Sequence, residues 1–249
     1  MKKKTLVLAH RGYRAKYPEN TLLAFRKGFE AGADGLECDV QKTADGRYVI
    51  IHDGTIDRTA ADGSKGNVGA MTLESLKTAD MGQGERIPEL IEFLIHLPEN
   101  AFINIELKDE TLTKDDMPEL CDLILANIGN RGLLVSSFDH SLLPHFSKRN
   151  IRVGLLIGTE TKRLGIFRLM HRIVRLRPYS MNLPIDMFSA IGNRPSRMLL
   201  CLFGLLGIKV IFWTVNTREQ FENAYRYGDG IITDRVEDII EMVRGKEVE

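Results

Sequence analysis

Short apolar runs alternate with amphipathic segments along most of this 249-residue chain, and few folds accommodate that alternation. Leu6–Ala9, Gly35–Val40, Tyr48–Ile51, Phe102–Leu107, Leu133–Ser137, Val153–Ile157, Ser180–Leu183, Lys209–Trp213 and Gly230–Thr233 each have the length and apolar content of a buried strand. Helical spacing separates most of them. Leu22, Phe25 and Phe29 share one helix face behind a cap at Asn20 or Thr21, and Gly32 follows where a left-handed residue ends a helix. Pro88 starts a helix with Leu90, Phe93, Leu94 and Leu97 inward, and Met117, Leu120, Cys121, Ile124, Leu125 and Ile128 mark another. Further helices are expected over 142–146, 162–176, 196–206 and 236–243, with Thr217 and Gln220 as a capping box for one carrying Phe221, Ala224 and Tyr225. Strands alternating with helices predict a parallel sheet. No linker interrupts the pattern, so residues 1–249 read as a single domain.

One region breaks the alternation. No helix fits between Gly35–Val40 and Tyr48–Ile51, where Asp45-Gly46 signals a turn. Residues 54–86 then hold six glycines and only a weak helix pattern at Thr72–Ala79. That segment reads as a small insertion after the third strand, forming a loop or a cap that acts as a lid.

Composition narrows the functional classes. Lys and Arg balance Asp and Glu at 34 each, which argues against nucleic acid as a general partner. Cys38, Cys121 and Cys201 are odd in number and widely spaced, forming neither a zinc pattern nor a disulfide framework, so a reducing cytoplasm is the expected location. Lys2-Lys3-Lys4 precedes an apolar run too short for a signal peptide, and no uninterrupted stretch reaches the ~20 residues of a membrane span. Residues 158–209 carry nine Lys or Arg against Glu160 and Asp186, a local charge of +7 balanced by −7 elsewhere. The basic helix in this segment also has apolar Phe167, Met170, Ile173 and Val174. Such a face can rest on an anionic membrane, but burial against the strands is the stronger reading.

The strand ends carry the chemistry. Leu6–Ala9 runs into His10-Arg11-Gly12, and Val49–Ile51 runs into His52-Asp53. Pro18-Glu19-Asn20-Thr21 and Glu37-Cys38-Asp39 lie between them, with Arg58-Thr59 after. Polar groups are costly inside a sheet unless satisfied, so their concentration there suggests a site. Glu37 and Asp39, two apart on a strand, point to one side, and Glu106 ends another strand beside Lys108. Three carboxylates without cysteine or histidine pairs suit a hard ion such as Mg²⁺ or Ca²⁺. Spacing alone equally allows ordinary salt bridges to Arg11 and Lys108.

These motifs, with Glu106-Leu107-Lys108 and Trp213-Thr214-Val215-Asn216, resemble the glycerophosphodiester phosphodiesterase family in the order it shows them. The resemblance implies a TIM-type (β/α)8 barrel with its site at the C-terminal strand ends. Nine strand candidates then compete for eight places, so one lies outside the barrel or is absorbed into a loop, and Tyr48–Ile51 is the candidate in question. A tight hairpin at Asp45-Gly46 would carry His52 away from Glu37, so a wider excursion is expected.

The resemblance further implies a divalent cation, Mg²⁺ or Ca²⁺, on Glu37, Asp39 and Glu106. It implies acid–base catalysis by His10 and His52, whose imidazoles suit proton transfer near neutrality. Arg11 and Lys108 are candidates for the phosphate. Phe138 and Trp213 are candidates for the glycerol or head group, core packing being the equal alternative. Pro18-Glu19-Asn20-Thr21 is read mainly as a device for starting a helix, and His96, His140, His145 and His171 as structural residues. The expected activity is hydrolysis of a small-molecule glycerophosphodiester to glycerol 3-phosphate and an alcohol. The alternatives are lysophospholipase D-type cleavage at a membrane surface, and a barrel kept only for binding.

Overall fold

A computed structural model describes residues 5–158 and 165–248. Lys2-Lys3-Lys4 and the expected helical residues 162–164 lie outside the described residues. The strands are β1 Leu6–His10, β2 Gly35–Lys42, β3 Tyr48–Ile50, β4 Phe102–Leu107, β5 Gly132–Ser137, β6 Arg152–Leu156, β7 Ser180–Pro184, β8 Lys209–Trp213 and β9 Gly230–Thr233. Eight of them run parallel in the order β1-β9-β8-β7-β6-β5-β4-β2, and β1 pairs with β2 to close the ring. This is a TIM barrel. The ninth, β3, lies outside it, antiparallel to the end of β2.

The helices are α1 Leu22–Glu30, α2 Leu73–Leu76, α3 Leu90–His96, α4 Met117–Ile128, α5 Pro144–Lys148, α6 Gly165–Leu176, α7 Met187–Ile191, α8 Asn193–Leu205, α9 Arg218–Tyr227 and α10 Val236–Val248. Their starts follow local chemistry. Thr21 caps α1 by accepting from Ala24 N, and Gly32 adopts φ +96° just beyond its end. Thr217 and Gln220 form the expected capping box on α9.

The apolar residues divide into three groups. The largest lies between barrel and helices, where Phe25 and Phe93 meet with ring centroids 4.6 Å apart. A second, of Leu8, Leu134, Ile211 and Ile232, fills the barrel interior. The third belongs to the insertion: Ile56, Val68, Leu76, Ala79 and Met81 pack onto Val49, Ile51 and Ile87. Residues 54–86 are therefore a small structured unit with its own core, despite their glycines.

The wide excursion expected before His52 is not what the chain makes. Val40, Gln41 and Lys42 pair with Ile50, Val49 and Tyr48 in a tight hairpin closed through Thr43 and Arg47. The hairpin still delivers His52 to the site, because β2 overshoots the rim. Its last residues stand above the barrel, and β3 brings the chain back down beside them. Ile51 N donates to Asp39 O at 3.0 Å, and Gln41 Nε2 donates to the His52 carbonyl at 2.9 Å.

Candidate active site

Register places the acidic groups. His10, Glu37 and Asn104 are neighbours across β1, β2 and β4, with Asp39, Glu106 and Ser136 one layer higher on β2, β4 and β5. One oxygen each from Glu37, Asp39 and Glu106 lie within 4.8 Å of one another, and all three residues are buried. Arg11 N donates to Glu37 Oε2 at 3.1 Å, Asn20 Nδ2 to Asp39 Oδ2 at 2.9 Å, and Lys108 Nζ to Glu106 Oε1 at 3.1 Å. Asp39 Oδ1 is buried with no hydrogen-bond partner.

Three buried carboxylates this close disfavour one another's charge. Burial, then repulsion from Asp39 and Glu106, pushes Glu37 well above the usual carboxylate range. Burial and Asp39 push Glu106 up to about 7. Asp39 is the exception. Burial would raise it, but Arg11, His52, Lys108 and Asn20 together hold it below its ordinary value. A hard oxygen set, an unpartnered carboxylate oxygen and mutual repulsion all fit a divalent cation.

The histidines flank this cluster. His10 Nδ1 lies 2.6 Å from Asp234 Oδ1, and His52 Nδ1 lies 2.5 Å from Asp53 Oδ1. Each carboxylate accepts from Nδ1–H, which leaves Nε2 as the nitrogen available for proton transfer. His10 Nε2 is 3.9 Å from Glu37 Oε2, whereas Lys108 Nζ is 3.3 Å from His52 Nε2. Burial lowers the His10 pKa despite Asp234, with Arg11 adding to the effect, which favours the neutral imidazole.

A cavity of about 270 Å³ opens between them. His10, Arg11, Glu37, His52 and Glu106 line it with Arg14 and Asn104, and Phe138, Leu156, Trp213, Thr214 and Ile232 form its apolar wall. Phe138 and Trp213 meet edge to face with centroids 5.7 Å apart. All the candidate residues except Asp39 and Lys108 line the cavity itself. Those two stand beside it, Asp39 ion-paired with Arg11 at 3.3 Å and Lys108 hydrogen-bonded to Glu106 and His52.

The chain matches the Glycerophosphoryl diester phosphodiesterase family over residues 10–238. A protein from Caldanaerobacter subterraneus named glycerophosphodiester phosphodiesterase is 37% identical, covering 97% of this chain and 98% of its own. The chain belongs to the glycerophosphoryl diester phosphodiesterase family. The crystal structure of a glycerophosphodiester phosphodiesterase from Thermotoga maritima superposes with a TM-score of 0.82 at 32% identity, covering 96% of this chain and 98% of that one. A phosphodiesterase from Oleispira antarctica in complex with the product sn-glycerol-3-phosphate shares the fold, with a TM-score of 0.85 at 24% identity and 96% coverage of both chains.

Within this family member, one local reading needs correction. Pro18-Glu19-Asn20-Thr21 does more than start a helix. Thr21 is the cap, but Asn20, at φ +57°, holds Asp39, and Glu19 accepts from Arg11 Nη1 at 2.9 Å and from both terminal nitrogens of Arg58. The turn that allows this is tight. A Cβ on Gly12, at φ +78°, would sit 2.6 Å from the Ala24 backbone, so a side chain there would displace α1.

Asp234 was missed from sequence, although the signal that exposed His10 was there: a polar residue directly after an apolar strand. Asn216 holds it, with Nδ2 donating to Asp234 Oδ2 at 2.7 Å and Oδ1 accepting from Asp234 N at 3.0 Å. Asn104, fixed by Ser136 Oγ at 2.9 Å, was also missed, because a polar residue inside a strand carries no end-of-strand signal.

Proposed function

We propose that the protein hydrolyses glycerophosphodiesters to glycerol 3-phosphate and an alcohol, using a divalent cation and two histidines. The observation that carries this is the pair of carboxylate-backed imidazoles on opposite sides of a three-carboxylate cluster. Family membership supports the substrate class. Glu37, Asp39 and Glu106 would hold the cation, Mg²⁺ or Ca²⁺, whose positive charge would neutralise them and polarise an oxygen beside it.

Arg11 and Lys108 bind the phosphate oxygens, and their own carboxylate contacts keep them charged and in place. His10, neutral and presenting Nε2, takes the proton from the substrate hydroxyl next to phosphorus. That oxygen attacks phosphorus, and the bond to the alcohol breaks. His52 enters the step as the imidazolium, with Nδ1–H on Asp53 and a second proton on Nε2 once the phosphate has drawn Lys108 away; it gives the Nε2 proton to the departing alcohol and is left neutral. The roles exchange when water opens the cyclic phosphate. Phe138 and Trp213 shield one wall from water. Residues 54–86 reach the site through Arg58, which binds Asp53 and Glu19 behind the cavity wall, and we assign them an influence on which head group is accepted.

Product analysis on a panel of glycerophosphodiesters, with and without chelator, tests the reading. Chelation is expected to abolish turnover, and Mg²⁺ or Ca²⁺ to restore it. Full turnover by Glu106→Gln in metal-free buffer would refute the role of the cluster.

A further inference from the structure

A second cavity, of about 400 Å³, opens between α5 and α6, outside the barrel. Its lining includes Lys114, Lys148, Arg172 and Arg175, with no carboxylate. None of these four makes an ion pair among the described residues. Three histidines, His140, His145 and His171, share the lining. His140 is 2% exposed, and its Nε2 donates to the Leu156 carbonyl at 2.9 Å. Its Nδ1 is buried and has no partner, and so is Nε2 of His145.

Orphaned imidazole nitrogens in a cation-lined cavity define a specific deficiency. The four cations call for a concentrated negative charge. Nδ1 of His140 calls for a donor, because Nε2 already carries the ring's proton in the neutral form, and burial together with Arg172 favours that form. An anion that also bears a hydroxyl meets both demands. Hydrogen phosphate does so, as does a phosphate monoester in its singly charged form, offering charged oxygens to the arginine forks and a P–OH to Nδ1.

We infer that the α5–α6 cavity is a binding site for hydrogen phosphate or a phosphate monoester, separate from the catalytic cavity. Leu156 links the two. Its carbonyl is held by His140, and it also lines the catalytic wall.

The test uses the intact protein labelled with ¹⁵N in its histidine rings, titrated with inorganic phosphate and separately with sulfate. Phosphate is expected to shift the His140 Nδ1 resonance. Sulfate, which has no proton to donate at neutral pH, is expected to act roughly tenfold more weakly, the loss of about one hydrogen bond. Arg172→Ser combined with Arg175→Ser is expected to abolish the His140 shift while His10 and His52 still respond. An unmoved His140 resonance overturns the inference. So does a shift that survives the double substitution, or one that sulfate produces equally well.

Vesicles distinguish the source. Binding to phosphatidate vesicles but not to phosphatidylcholine vesicles, reversed by free phosphate, assigns a lipid head group. A phosphate response with no vesicle binding assigns a soluble phosphate.

Discussion

The two histidines sit in equivalent places chemically but are built in different ways. His10 ends β1, and its carboxylate partner Asp234 lies 224 residues away, just beyond β9. That half of the site forms only when the first and last strands close the barrel. His52 and Asp53 are adjacent in sequence, and Arg58 grips Asp53 Oδ2 at 2.6 Å from within the insertion. That half is local, set on a hairpin and a small unit with its own core. A long-range pairing is held by the whole barrel, whereas a local one depends on a few nearby contacts.

Replacing the histidines separates the halves most strongly. His10→Ala and His52→Ala are each expected to lose about 10²–10⁴-fold in turnover while remaining folded. A substrate with a good leaving group should recover part of the loss in His52→Ala and little of it in His10→Ala. Equal recovery in both variants would reverse or erase the assignment of base and acid.

The supporting carboxylates come next. Asp234→Asn and Asp53→Asn each leave an amide where Nδ1–H had a charged acceptor. A loss of roughly 10–100-fold in turnover is expected, with little change in substrate affinity. Asp234→Asn should also lower the melting temperature more than Asp53→Asn. Asp234 additionally secures Asn216 and ties the end of β9 to β1, whereas the partners of Asp53, His52 and Arg58, lie within five residues of it. Equal melting temperatures would show that the barrel closes without help from this contact.

The contrast between the halves also explains what could be read from sequence. Strand ends that finish in His, Glu or Asp stand out because polar groups interrupt an apolar run, and that located His10, Glu37, Asp39, His52 and Glu106. Alternation of strands and helices gave a parallel sheet, the resemblance gave the barrel, and the surplus strand candidate, Tyr48–Ile51, is the β3 that lies outside it. Pairings across the barrel were not visible, because no local pattern ties residue 10 to residue 234. The hairpin was misjudged for a geometric reason. Sequence shows where β2 begins and how it alternates, but not that it continues past the rim, and that overshoot lets a tight turn return His52 to Asp39. Glu19 and Asn20 were obscured by their neighbour, since Thr21 alone accounts for the start of α1.

The smallest expected effect concerns Arg58, the link from the insertion to the site. It binds Glu19 through both terminal nitrogens, at 3.1 and 2.7 Å, and Asp53 through Nε. Burial would raise Glu19, but Arg58, Arg11 and Arg14 hold it down at about 2. Burial would likewise raise Asp53, but Arg58 and His52 hold it at about 2. Both folded-state values lie below those of an unfolded chain, about 4.3 for Glu and 3.9 for Asp. The charged carboxylates therefore contribute stability that is complete above about pH 5 and disappears as pH falls toward 2. Arg58→Met removes a shared partner, so both carboxylates should protonate at higher pH. The variant should be less stable than the wild type in urea at pH 7 by on the order of 1 kcal/mol, a figure kept small because Arg58 is half exposed. That gap should narrow at pH 4 and close near pH 2. Turnover at pH 7 should fall only a few-fold, less than in Asp53→Asn, because His52 keeps its own carboxylate. A gap that stays constant from pH 7 to pH 2 would mean that Arg58 acts through packing, and that the insertion supports the His52 half without charge.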